Sequence, residues 1–467
     1  MSVGTATAQG HALLQQAARD HLLLHLARNG AYDDPGTELL VLDRAEGVRV
    51  YDTAGREYID ALSCLFCAQI GYSYGAEMAE AAADQLRRLP FNTNWNTAHP
   101  AAIDLAAKLA ELAPAGLDHV FFTGGGSEAV ETAWKLARQY HVANGEPQRR
   151  KAIARRTAYH GLSLGALALT GIPALKEPFG EAAIETIHVS NTNRFRAEDG
   201  DDEARFCQRL LAELEAAILD AGPDTVALIV AEPIQNAGGC FTPPDGYWAG
   251  LREIANRYGI LLHADEVISG FGRVGEYFAC DRYGAQPDLI TVAKGLTSAY
   301  APMGAVLVGE RISETLHRPG AVLSHGITFG GHPLSAAIAL RNLEIFERDG
   351  VLENVRALEP HLRNRLGELR GLAAVGDVRG DGFFWAIELV DPHGRPLDAQ
   401  AREDFVRGYI PLRLRELGLI ARADDRGEAL VQIAPPLVCD RATLDTIVDR
   451  LAELLSDVGD RLAERKR

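Results

Sequence analysis

Six cysteines in 467 residues, at 64, 67, 207, 240, 280 and 439, are too few and too scattered to staple a fold. In a chain of this length they make no disulfide framework. Only the run CLFC brings two together, at Cys64 and Cys67. A zinc site needs more ligands and no second pair exists, so the expectation is core-facing thiols and no metal. Long hydrophobic runs are missing as well: no uninterrupted apolar stretch would span a bilayer. The opening stretch, MSVGTATAQGHALLQQAARDHLLLHLARNG, has no basic start followed by an apolar core and a cleavage site, which sets the expectation of a cytoplasmic protein. Positive charge is in short supply, with 47 basic residues against 64 acidic and a net charge of -17. Bulk charge will therefore not draw this chain to nucleic acid or to an anionic membrane. Small anionic ligands stay open, because they need only a local positive pocket. Internal repeats, low-complexity tracts and flexible linkers are absent too.

What is present is an ordinary globular balance, 47% hydrophobic and 24% charged, in a chain too long for one typical core. Residues 11–28 carry helical spacing and stop at Asn29-Gly30. Residues 48–59 read as a hairpin, and 76–88 and 100–112 as helices. Strands and helices then alternate. Strands are expected at 119–123, 152–157, 226–231, 260–264, 289–292 and 305–308, with helices at 127–144, 207–220 and 248–258. This rhythm indicates an α/β fold, a mostly parallel, doubly wound sheet with helices on both faces. Beyond about residue 325 the pattern changes. A long helix at 333–348 leaves the sheet, and strands at 383–389 and 429–433 fall between helices at 401–417 and 441–464, an α+β segment.

Three of the expected strands end in ionisable residues: Glu232, Asp265 and Lys294. Strands buried on both faces should be apolar throughout, so charges at their carboxyl ends mark a crevice. Each alone could be an ion pair or a cap, and Lys294 could reach solvent from a loop. Burying an unpaired ammonium is costly, whereas a desolvated Lys has a depressed pKa and attacks carbonyls. The run HVFFTGGGSEAVETAWK adds an anion site, in which a strand enters three glycines and Ser127-Glu128 opens a helix. Glycines let the backbone approach a ligand, and the helix N-terminus favours a phosphate. A plain turn with Ser127 as N-cap is the other reading. Neither the ATP-binding nor the dinucleotide-binding glycine pattern is matched, which counts against a nicotinamide dehydrogenase.

A Schiff-base lysine, an aspartate for a pyridinium nitrogen and a phosphate cradle are what pyridoxal 5′-phosphate needs. The motifs GGGSEAVETAWKLAR, AYHG, AEPIQNAGG, LLHADEVISGFGRVG, AKGLTSAYAPMGA, HGITFGGHP, GLIAR and APPLV stand in this order. From about Gly47 to Val438 the chain resembles the class III pyridoxal-phosphate aminotransferases, the ω-amino acid or amine transaminases of fold type I. The resemblance implies a large cofactor-binding domain at 76–325 with a seven-stranded type of sheet, and a small domain from 1–75 and 326–467. It makes Lys294 the Schiff-base residue and Asp265 the partner of the ring nitrogen. Gly125, Gly126 and Ser127 hold the phosphate, completed by Thr328 of the partner subunit, so a homodimer or higher homo-oligomer with shared sites is implied. Tyr159 stacks on one ring face, Val267 packs the other, and His160 and Glu232 support the site. Arg422 grips a substrate α-carboxylate, with Phe66 and Trp95 as pocket-lining candidates and a polar, flexible loop at Asp424, Asp425 and Gly427 letting it move. The implied activity moves an amino group from an ω-amino acid or amine to a keto acid by a ping-pong cycle. Two departures stand out: Gly125-Gly126-Ser127 replaces the family's common Ser-Gly-Ser, and Phe66 stands where many amine transaminases carry Trp. Racemase, aminomutase or decarboxylase chemistry on the same cofactor is the alternative. A non-catalytic relative would be expected to have lost Lys294 or Asp265, and both are intact.

Overall fold

The computed structural model describes residues 8–34 and 37–465. Among these the strands, in chain order, are β1 (Leu42–Glu46), β2 (Arg49–Asp52), β3 (Glu57–Asp60), β4 (His119–Thr123), β5 (Lys151–Arg155), β6 (Thr186–Val189), β7 (Val226–Ala231), β8 (Leu261–Asp265), β9 (Leu289–Val292), β10 (Gly304–Val308), β11 (Val375–Asp381), β12 (Phe384–Leu389), β13 (Leu419–Ile420), β14 (Arg422–Asp424) and β15 (Leu430–Ile433).

Seven of them form the central sheet, in the order β4-β10-β9-β8-β7-β5-β6. Every residue of β7, β8 and β9 is buried, as a sheet covered on both faces requires. Alternate residues serve opposite faces. Leu228, Leu261 and Leu289 pack with Ala129, Ala133, Leu136 and Ala137 of the helix Gly126–Ala143. Ile229, Leu262 and Ile290 join Phe206, Leu210, Trp248 and Leu251 of the helices Glu203–Ala221 and Tyr247–Tyr258. All the pairings are parallel except those of β10, which runs antiparallel to both β4 and β9. The reason is local. A parallel return needs a crossover of a dozen or more residues, usually a helix, and the segment 293–303 between β9 and β10 holds only the short helical turn Lys294–Leu296.

Two smaller sheets flank the central one. In the first, β1, β2 and β3 are joined by β13, which pairs parallel to β3 and ties the N-terminal segment to the C-terminal one. The second, β11-β12-β15-β14, is antiparallel throughout. The helices Val351–Glu368 and Arg441–Glu464 pack on each other beside it.

Several expected elements change shape. The helix expected at 11–28 occupies Ala8–His21. Beyond it the Asn29 side chain accepts from the Leu24 N–H (2.8 Å) and donates to the Leu24 carbonyl (3.1 Å), taking backbone groups that a helix would need. The helix expected at 401–417 is broken into Ala399–Ala401, a wide-turn segment Arg402–Tyr409 and Ile410–Glu416. Pro411 supplies no N–H to the turn before it, and the widened segment absorbs the mismatch. The helix Pro333–Arg348 matches its expected bounds and packs on the helices Gly75–Arg88 and Pro100–Leu112. Of the six cysteines, four are buried as expected, but Cys64 is exposed and Cys67 half-buried.

Candidate active site

Strands β9, β8 and β7 are neighbours and run the same way, so the residues that end them meet along one edge. The loops after β5 and β4 reach the same edge. Together they enclose a cavity of about 180 Å³ lined by Gly126, Ser127, Tyr159, His160, Gly161, Glu232, Ile234, Asp265, Val267, Ile268, Ser269, Ala293 and Lys294.

Asp265 is the last residue of β8 and is buried. Its Oδ2 accepts from His160 Nδ1 at 2.7 Å. Its Oδ1 accepts from the Val267 N–H at 3.2 Å and from Thr291 Oγ1 at 3.1 Å. Burial by itself would push this carboxyl up. The His160 hydrogen bond and charge, with His263 and the Val267 N–H behind them, outweigh it and hold Asp265 below the ordinary range. His160 Nε2 is buried without a protein partner. Glu232 follows β7, and its Oε1 accepts from the Tyr159 N–H (3.2 Å) while Oε2 accepts from the Asn236 N–H (2.9 Å). Burial pushes its carboxyl up, against the pull of His160 and Arg155, and Asp265 nearby adds to the rise. Two carboxyls on adjacent strands are thus shifted in opposite directions, Asp265 down and Glu232 up.

Lys294 follows β9 on a turn with φ of 36°, a left-handed conformation unfavourable for a side chain of this size. The turn is held from behind. Asn342, buried on the helix Pro333–Arg348, donates through Nδ2 to the carbonyls of Gly295 (2.9 Å) and Leu296 (3.1 Å). Burial lowers the pKa of the Lys294 ammonium, opposed by Cys67, Asp265 and Glu232, and Arg422 lowers it further. The lowered pKa favours the nucleophilic free amine relative to an exposed lysine.

The helix at the cavity begins at Gly126, one residue earlier than expected, and its N-cap is Gly125 rather than Ser127. Ser127 is instead in the first turn, its Oγ accepting from the Leu162 N–H at 3.2 Å. The cradle is close-packed at two of its glycines, whereas Gly125 faces open space. A Cβ on Gly161 (φ 125°) would lie 2.4 Å from Ser127 Oγ, and one on Gly126 would lie 3.0 Å from Val267 Cγ1. Glu128 folds back to accept from the Gly124 N–H at 2.7 Å, fixing the entry to the helix.

The full match of a family model settles what this arrangement belongs to: the class-III aminotransferase model covers residues 31–455. The chain belongs to the class-III aminotransferases. A probable aminotransferase of Mycobacterium tuberculosis is 46% identical over 452 residues, covering 96% of this chain and 95% of that protein. The putrescine–pyruvate aminotransferase of Pseudomonas aeruginosa is 40% identical over 441 residues, covering 93% and 94%. Among solved structures, a thermostable (S)-enantioselective omega-transaminase from Thermomicrobium roseum superposes with a TM-score of 0.91 at 40% identity, covering 96% of this chain and 98% of that one. The protein is an aminotransferase on an α/β fold with a seven-stranded, mostly parallel sheet.

The cofactor of this family is pyridoxal 5′-phosphate, and the residues present fit it. Asp265, its carboxyl held below the ordinary range by His160, suits a protonated ring nitrogen. Lys294 is an amine suited to the aldehyde, and the close-packed start of the helix Gly126–Ala143 offers N–H groups to a phosphate.

Of the other residues expected at the site, Phe66 and Arg422 lie together just behind the lining, the guanidinium 6.0 Å from the ring centre. Phe66 is 1% exposed, wedged edge-on against Phe384 on a turn where Ser63, Cys64 and Phe66 all have positive φ. Arg422 acts electrostatically on both Lys294 and Tyr159. Its own pKa is brought down to about 10, first by burial and then by Arg426, with Asp424 opposing. The loop beyond it was expected to be flexible, but it is tied at every step. Arg426 holds Asp424, Arg407 Nε reaches Asp425 at 2.8 Å, and Arg402 Nη1 reaches the Gly427 carbonyl at 2.6 Å. Trp95 and Thr328 do not join the cavity of their own chain: Trp95 is 59% exposed and packs against Gly326, and Thr328 is exposed close by.

Thr291, Asn342 and Arg426 escaped the sequence reading, and Asp424 was read only as part of a polar loop beside Arg422. Thr291 left a faint signal as the one hydroxyl in the apolar run of β9, and Asn342 as a polar residue on a buried helix face.

Proposed function

We propose that the protein transfers an amino group from an ω-amino acid or simple primary amine to a keto acid such as pyruvate, in two half-reactions that alternate in one site. The observation that carries this reading is the placement of Lys294, after β9, and Asp265, ending the adjacent β8, in one cavity, with His160 Nδ1 2.7 Å from Asp265 Oδ2. Bound pyridoxal 5′-phosphate supplies an electron sink for the carbanion left when a proton departs from the amine-bearing carbon. Lys294 Nζ would take up that proton and give it back. Asp265, whose carboxyl His160 holds below the ordinary range, would pair with the ring nitrogen. Glu232 fixes the backbone at Tyr159, and Tyr159 and Val267 would hold the ring. Gly125, Gly126 and Ser127 would hold the phosphate. The activities named for the putrescine–pyruvate and omega-transaminase relatives support an amine donor without an α-carboxylate. Arg422 beside Phe66 supports a keto acid acceptor.

Thr328 and Trp95 belong in this reading to a two-fold dimer, in which each chain completes its partner's cavity. Their exposure supports it. Phe91, Phe329 and His332 form an open aromatic group beside them, with ring centres 5.4 to 6.5 Å apart. Exposed aromatic surface of this kind is characteristic of an interface.

The test is chemical. Borohydride reduction of the yellow holoenzyme should leave a covalent adduct on Lys294, and Lys294→Ala should lose both adduct and transamination. A label on another lysine would overturn the assignment. A panel of amines against pyruvate and 2-oxoglutarate then fixes the substrate pair.

A further inference from the structure

Arg422 does not stand alone. Its Nε lies 3.3 Å from Asp424 Oδ2, and Asp424 is the one carboxylate within ion-pairing distance of it among the described residues. The same carboxylate is held far more completely by Arg426. Arg426 Nε reaches Oδ1 at 2.9 Å and Oδ2 at 3.0 Å, Nη2 reaches Oδ2 at 2.5 Å, and the Arg426 backbone N–H reaches Oδ1 at 3.0 Å. All three side chains are withdrawn from solvent, the Asp424 side chain to 5% exposure. Two guanidinium groups therefore share one buried carboxylate, and they share it unequally: Arg426 with a fork, Arg422 with a single long contact. The Arg426 guanidinium also lies over the Tyr159 ring, 5.7 Å from its centre, which fixes the fork at the wall of the cavity.

We infer that Asp424 and Arg426 form a counter-ion latch that parks Arg422 while the substrate lacks an α-carboxylate and releases it when one arrives. The inference rests on the reading of Arg422 as the residue that binds that carboxylate. An amine without a carboxylate would otherwise leave a largely buried guanidinium facing a second cation. With Asp424 between them, both cations share one counter-ion, and the single net positive charge that remains is what an arriving carboxylate balances. When a keto acid enters, Arg422 exchanges one long contact for a two-point pairing with the substrate, and Asp424 stays neutralised by Arg426. Asp424 and Arg426 are positioning residues here, acting only through Arg422.

Such a latch has a sign. Asp424→Asn removes the parking place, so Arg422 is always available to a carboxylate and always uncompensated without one. Arg426→Gln leaves Asp424 with Arg422 as its sole cation, so Arg422 is held back. The two substitutions should move carboxylate binding in opposite directions, which loss of local structure would not do.

The test compares wild-type holoenzyme with Asp424→Asn, Arg426→Gln, Arg426→Lys and Arg422→Ala. Calorimetry with propionate, a carboxylate with no keto group to react, gives a dissociation constant. Single-turnover spectra with isopropylamine give the rate of the amine half-reaction. Propionate should bind several-fold more tightly to Asp424→Asn and about tenfold more weakly to Arg426→Gln, the size of one charge-assisted hydrogen bond. Arg426→Lys should restore most of the loss. The isopropylamine rate should fall further in Asp424→Asn than in Arg426→Gln, where Arg422 keeps its counter-ion, and the reverse order would count against the latch. If both variants shift propionate the same way, or not at all, while Arg422→Ala abolishes its binding, the latch is wrong and the carboxylate role stands. If Arg422→Ala leaves propionate binding intact, the carboxylate role falls and the latch with it.

Discussion

Asp265 is charged because of its neighbours and in spite of its own burial. The consequence is a definite dependence on pH. A carboxyl whose pKa is depressed keeps its charge down to low pH, so Asp265 should contribute no acid limb to the half-reaction rate near neutrality. His160→Leu removes the hydrogen bond and the charge that hold it down. Burial then dominates and the pKa rises. Rates measured from pH 5 to 9 should show an acid limb displaced upward in this variant, with activity recovering as pH rises through the new value. An unchanged profile would mean that Thr291 and the Val267 N–H suffice. Asp265→Asn should bind the cofactor but slow the half-reaction about a hundredfold or more, since it removes the charge that keeps the ring nitrogen protonated.

Two elements set the geometry of these groups. The helix Pro333–Arg348 supports the Lys294 turn through Asn342, whose two bonds satisfy carbonyls that the turn leaves open. Asn342→Leu strands both, at a cost of ~1–3 kcal/mol for each buried acceptor. Thermal unfolding of the apoprotein should report the loss. The visible spectrum of the holoenzyme should titrate with a shifted midpoint, because Lys294 is no longer held in place. The turn after β5 carries a sharper constraint: Gly161→Ala would press on Ser127 Oγ at a positive φ, so equilibrium dialysis should show weaker cofactor retention. Much of this architecture was legible in the sequence. β4, β7 and β9 and the helices Pro100–Leu112, Pro333–Arg348 and Arg441–Glu464 match their expected bounds, because apolar period and Pro or Gly stops coincide there. β14 and β13 were not legible, being two or three residues long and fixed by pairing rather than pattern. Nor was β11, VGDVRGD, whose Asp377 pairs with Arg370 before the strand and with Arg379 within it, so that its charges break the apolar pattern. At the site, Lys294, Asp265 and Glu232 announced themselves as charges ending apolar strands. The Asp424–Arg426 pairing could not, since a DDR run in a loop reads as solvated surface.

The whole molecule is held by contacts that join its sheets and, in the proposed dimer, its two chains. Within the chain, Glu359 binds Arg282 (2.8 and 2.9 Å) and Arg363 (2.7 Å), tying the helix Val351–Glu368 to the helix Ala279–Tyr283 beside the central sheet. Burial would raise its pKa, but the Arg282 hydrogen bonds and charge bring it down to about 2 from an ordinary 4.5. The stabilisation is therefore complete above about pH 4.5 and is lost as pH falls toward 2. Glu359→Gln should unfold at a lower temperature than wild type at pH 7, and the gap should narrow below about pH 4.5 and close only as pH approaches 2. Between chains, the aromatic group at Phe91, Trp95 and Phe329 is the surface whose covering the proposed site requires, because the same segment carries Thr328. Phe329 is 62% exposed in the single chain, so a substitution there loses little intrachain packing. Phe329→Asp would bury a charge against its symmetry mate's surface, a cost that association cannot offset. Sedimentation should find this variant monomeric, folded and inactive, with cofactor lost on dialysis. Thr328→Ala should remain dimeric and lose only part of its cofactor affinity. A monomer that keeps full activity would show that each chain completes its own site, and Thr328 would then have no part in it.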